Sequence, residues 1–122
     1  MMTLNEAWDH LAEEIGKLVE LPITDHLLGR KTSVPGIAIV AESSGLVVHG
    51  AGSGLSGEHY FSVWILVPHG GSFRASRETV FGYVQLLMTI PRFYVSEPVV
   101  EYGEDMVGNV PCVLARLVGK VA

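Results

Sequence analysis

The segment His59–Val67 constrains the fold more than any other stretch of this chain. Phe61, Val63, Ile65 and Val67 alternate with Tyr60, Ser62, Trp64 and Leu66, so a strand here presents two largely apolar faces. Such a strand is either covered on both sides or has one face against a neighbouring subunit. With 122 residues, the chain has one domain, residues 1–122, to supply the cover. The remaining sequence is therefore read for helices that pack on one face and for whatever meets the other.

Two helices are expected. Thr3-Leu4-Asn5-Glu6 is a capping box, in which the hydroxyl and the Glu6 carboxylate satisfy backbone amides reciprocally. Leu4, Trp8, Leu11, Ile15 and Leu18 then follow at helical spacing, and the pattern ends near Leu21-Pro22. Ser76 is a suitable N-cap for the second helix, with Glu78 in its first turn; Val80, Phe81, Val84, Leu87 and Met88 form its stripe and Pro91 ends it. The strands expected around them are Gly36–Ala41, Leu46–His49, His59–Val67, Phe93–Tyr102 and Val110–Val121. Pro98 marks Phe93–Tyr102 as an edge strand. Pro22–Pro35 reads as a connector, Gly50–Gly57 as a flexible loop and the carboxylates Glu101, Glu104 and Asp105 as part of a solvated turn. The order α-β-β-(β)-α-β-β defines an α+β domain with a mixed or antiparallel sheet of four to five strands and two helices.

Charge and composition narrow the function classes. Eight basic residues against thirteen acidic ones leave a net charge of −5, and only Arg30-Lys31 are adjacent, which argues against tight nucleic-acid binding. Charged residues make up 17% of the chain, too few to cover a small domain, so part of its surface is expected to meet another protein. Cys112 is the one cysteine, which excludes an intramolecular disulfide. The opening Met1–Glu20 is amphipathic and acidic, unlike a signal peptide, and no apolar run reaches membrane-spanning length.

Motifs that resemble chemistry lack their context. Gly52-Ser53-Gly54-Leu55-Ser56-Gly57 matches G-x-G-x-x-G, but a strand follows it where the dinucleotide site needs a helix. His69-Gly70-Gly71 resembles an esterase oxyanion loop, yet the chain has no G-x-S-x-G elbow. His10, His26, His49, His59 and His69 show no metal-ligand spacing. Cys112 lies among Val110, Val113 and Leu114, with nothing adjacent to lower its pKa. No catalytic, cofactor-binding or metal-binding constellation emerges, and the expectation is a non-enzymatic assembly subunit without a cofactor.

The opening helix Leu4–Val19, the strand entry Val34–Val40, the strand His59–Val67, the helix Ser76–Ile90 and the terminal hairpin Phe93–Val121 follow one another in a familiar order. In this order the chain resembles the tail terminator (tail completion) proteins of long-tailed bacteriophages, and the resemblance covers most of its length. It implies a virion protein assembled in the host cytoplasm. Such proteins form a ring, usually of six subunits, on the head-proximal end of the tail tube. The ring stops tube polymerisation and joins the tail to the head connector. Its partners would be itself, the tail tube protein, the connector or stopper protein, and genome DNA passing through the lumen without specific binding. An acidic chain suits such a lumen, because like charges keep DNA off the wall.

A cyclic assembly needs two different patches on each subunit. The candidate contact residues are Tyr60, Trp64 and Leu66 on the second face of the long strand, and Phe93 at the edge. Gly52, Gly54 and Gly57, and the loop His69–Ala75 with His69 and Arg74, are candidates for docking above and below the ring, where Arg74 and the following Arg77 would form ion pairs with an acidic neighbour. A head–tail adaptor, stopper or minor tail protein is the neighbouring alternative. A small ligand-binding or enzymatic α+β domain is the alternative of another class.

Overall fold

A computed structural model describes residues 3–25, 34–42, 59–69, 72–95, 101–107 and 110–121. The elements run α1 (Leu4–Leu18), β1 (Ile23–Thr24), β2 (Gly36–Ala41), β3 (His59–Pro68), α2 (Phe73–Leu87), β4 (Phe93–Val95), β5 (Glu101–Val107) and β6 (Val110–Val121). This is an α+β fold with one mixed sheet. Its order is β1-β2-β3-β6, and β4 and β5 occupy successive stretches of the far edge of β6. Only β1–β2 is parallel; every other pairing is antiparallel.

The register decides which residues share a face. Ile37, Ile65 and Ala115 are opposed across three strands, as are Ile39, Val63 and Leu117. This face is buried under both helices. Ala7, Leu11 and Ile15 of α1 and Val80, Val84 and Leu87 of α2 join it in one core with Phe61, Val113 and Val121. Fully burying each such Leu, Ile, Val or Phe side chain stabilises the fold by about 1.5–3 kcal/mol. Helix α1 packs on β2, while α2 packs on β3 and β6.

Local chemistry accounts for the helix ends. The Thr3 hydroxyl accepts from the Glu6 amide at 3.1 Å, and the Glu6 carboxylate accepts from the Thr3 amide at 3.4 Å, as the capping box requires. Helix α2 starts four residues earlier than the sequence pattern implies. Ser72 is its N-cap, its hydroxyl accepting from the Ala75 amide at 3.3 Å. Ser76 lies inside the helix, buried, and donates to the Pro68 carbonyl at 3.2 Å. Glu78 accordingly falls outside the first turn, which carries no acid. The chain leaves α2 through Pro91-Arg92, and Arg92 takes a left-handed φ of 64° before β4.

Three further readings change. The connector Pro22–Pro35 contributes β1, which pairs with the start of β2. Glu101, Glu104 and Asp105 lie in β5, paired with Arg116, Val113 and Cys112, because the hairpin turns later, beyond Val107. Phe81 and Met88 are 51% and 54% exposed. The buried stripe is Ser76, Val80, Val84 and Leu87, which leaves Phe81 a further 100° around the helix. The expected strand Leu46–His49 and loop Gly50–Gly57, with Gly52, Gly54 and Gly57, lie outside the described residues.

Candidate interaction surfaces

One surface is organised by α2. Phe73, Arg77 and Phe81 follow at four-residue steps, so they occupy one flank, and Met88 continues it past the last turn. Phe73 is 40% exposed. The flank also carries Arg74, whose only contact to a carboxylate among the described residues is a marginal 4.0 Å to Glu78. Phe73 reaches the β5–β6 hairpin, where it lines a cavity of about 290 Å³ with His69, Glu104, Met106, Pro111 and Cys112. Met106 is 58% exposed. The surface is thus a band of apolar side chains carrying Arg74 and Arg77, with Glu104 and Asp105 beside Phe73 in the cavity.

Position on the helix sharpens its charge. A helix N-terminus carries a partial positive charge that favours acids. Here the first turn of α2 holds Arg74 and no acid, and the second holds Arg77 beside Glu78. His69 stands just before, its amide donating to the Pro111 carbonyl at 2.8 Å and its ring edge-on to Phe73 with centroids 3.4 Å apart. His69 Nε2 is buried and makes no hydrogen bond among the described residues. The loop expected over His69–Ala75 is shorter, because Phe73–Ala75 are already helical: His69 precedes α2, and both Arg74 and Arg77 lie in it.

The second surface is the sheet face opposite the helices. Trp64 and Tyr60 lie there, both partly buried. The Arg116 guanidinium sits 5.5 Å from the Trp64 ring centroid. Arg116 also donates to Glu42 at 3.3 Å and to the Ser62 hydroxyl at 3.2 Å, and Ser62 donates to Glu42 in turn. The expected contact surface narrows accordingly. Leu66 is 0% exposed and Phe93 is 6% exposed. Phe93 faces the helices as part of the core, with its ring over Gly119. Neither side chain offers area to a neighbour.

The two sheet edges differ. On the β2 side, β1 pairs with Ile37 and Ala38, and the Trp8 indole donates to the Ile39 carbonyl at 2.9 Å. That edge is blunted. On the other side, β5 pairs only with β6 among the described residues, so its outer backbone groups have no ladder partner there. An unpaired edge of this kind is a template for another chain.

Cys112 is buried, and its desolvation, followed by the Asp105 charge, pushes the thiol above its ordinary 9.0. It is held as a neutral thiol and not as a nucleophile. Among the described residues, no group of three or more His, Cys, Asp and Glu side chains could hold a metal ion. Among them, too, no helix is long and apolar enough to cross a membrane. No protein-family model matches the chain, and no curated protein matches it either.

Sequence reasoning missed the contribution of Phe73, Phe81 and Met106 to the first surface. The available signal was the arginine pair beside aromatic residues in a chain of few charges. It becomes legible only when the helix start is moved to Phe73.

Proposed function

We propose that this chain is a structural virion subunit of the tail-terminator type. On this reading it forms a ring on the head-proximal end of a phage tail tube, ends tube growth and joins the tail to the head connector. The observation that carries the reading is the exposed band Phe73–Phe81–Met88 with Met106, on a small α+β domain whose β5 edge is unpaired among the described residues. Apolar area of this kind, beside charges that can set register, is what an assembly subunit needs. The order of helices and strands supports the same family resemblance. Genome DNA would pass such a ring without specific contacts, consistent with a net charge of −5.

Light scattering behind size exclusion, over a wide concentration range, tests the reading. A discrete closed species is expected, near six times the 13.2 kDa chain mass. A chain that stays monomeric at every concentration and is not retained on purified tail-tube ends overturns it. Retention on portal complexes in place of tube ends would assign the chain to an adaptor or stopper role.

A second reading, a small-ligand-binding domain, rests on the 290 Å³ cavity beside the buried Nε2 of His69. It requires a ligand-dependent rise in melting temperature that His69→Ala removes. The absence of any such rise across a metabolite set refutes it.

A further inference from the structure

Helix α1 supplies a surface complementary to the α2 flank. Its 15 residues hold four carboxylates against one lysine. Glu6, Asp9 and Glu13 are exposed and follow at three- and four-residue steps, so they form one outward stripe. Lys17 approaches Glu13 at 3.8 Å and Glu14 at 3.1 Å, at one end of that stripe. The two helices touch each other but lie over different strands, α1 on β2 and α2 on β3 and β6. One subunit therefore carries its exposed acidic stripe on α1 and its exposed arginines and Phe81 on α2, two unlike patches on different helices.

We propose that the α2 flank of one copy, through Arg74, Arg77 and Phe81, seats against the acidic stripe Asp9–Glu13 of α1 in a second copy. This rests on the ring reading above and names the contact that builds the ring. The contact is heterologous, joining unlike patches, and so propagates head to tail and closes by rotation. Opposite charge selects this pairing over its competitors. An α1–α1 contact would oppose like carboxylates. A sheet continued from copy to copy would need the β2 edge, which β1 and the Trp8 indole already occupy. An antiparallel β5–β5 pair would bring Glu104 and Asp105 close to their own copies. Arginines at the N-terminal end of α2 gain nothing from their own helix dipole, whereas a neighbour's carboxylates would meet both the arginines and the dipole.

The test uses two double variants, Arg74→Glu with Arg77→Glu, and Asp9→Lys with Glu13→Lys. All four positions are exposed, and acids at the start of α2 suit the helix dipole, so folding is expected to persist and is checked by circular dichroism and melting. Each variant alone should need at least about tenfold more protein to assemble at low salt, since attraction becomes repulsion. Mixed in equal amounts, the two should assemble again, because every junction then joins an arginine or lysine patch to an acidic one. Wild-type assembly should weaken as salt rises. If the wild type assembles and either folded variant assembles equally well, or if the mixture stays dissociated, the proposed contact is wrong while the ring reading stands. If the wild type never assembles and does not bind tube ends, the ring reading itself fails.

Discussion

Gly119→Ala is a stringent test of the packing that holds the β4 edge. A Cβ at Gly119 would stand 2.6 and 2.8 Å from two carbons of the Phe93 ring and 2.8 Å from the Tyr94 carbonyl oxygen. Ordinary carbon contacts lie at about 3.5–4.0 Å, so the methyl would sit nearly an ångström too close. The ring could swing away, but the carbonyl belongs to the backbone. Gly119 is also fixed between Phe61 on β3 and Val95 on β4. Overpacking of this kind costs about 1–3 kcal/mol. The loss of chain entropy in the unfolded state offsets about 0.4–1 kcal/mol of that. A net destabilisation of about 1–2 kcal/mol remains, against a total stability of about 5–15 kcal/mol. For a domain of this length that is a melting temperature lower by roughly 3–10 °C, read by calorimetry. Adding Phe93→Leu should return part of the loss, because the smaller side chain vacates the space. An unchanged or higher melting temperature for Gly119→Ala would show that Phe93 does not lie over Gly119.

Other expectations follow from particular contacts. Trp8→Phe removes the donor to the Ile39 carbonyl and should cost about 1–2 kcal/mol in urea unfolding; no change would remove the indole from the edge. In that background Trp64 is the sole tryptophan, and Arg116→Met should raise its quenching by acrylamide while costing about 0.5–1 kcal/mol. Unaltered quenching would place the guanidinium elsewhere. Cys112 should react slowly with a thiol reagent near pH 7 and fully once unfolded. Its folded pKa is raised, so its contribution to stability is present below pH 9.0, where the unfolded thiol ionises, and is lost as pH rises through the folded value. Cys112→Ala should therefore show a shallower fall of melting temperature above that pH than the wild type.

Short-range patterns were legible without the structure. The capping box at Thr3–Glu6 needs only four consecutive residues, and it forms as read. The strands β2, β3 and β6 follow from alternation and from their flanking turns, within a residue or two. The α2 start did not. Ser72 and Ser76 are both competent caps, and the choice between them rests on the Pro68 carbonyl that Ser76 meets in the folded chain. Nor did β5, whose acidic residues read as a turn. They are held extended because β6 continues far enough to pair them.

The amino-acid sequence by itself determined the α+β class, the ends of α1 and the two apolar faces of β3, since each depends on neighbours a few residues apart. The tertiary structure alone decided which of those faces the helices cover, because strand register is set by pairing between distant segments. It buried Leu66 and Phe93 and turned Phe81 outward. It also placed an acidic α1 and an arginine-bearing α2 over different strands. A side chain's exposure is a property of the packed layers around it, and no local pattern encodes which layer lies above.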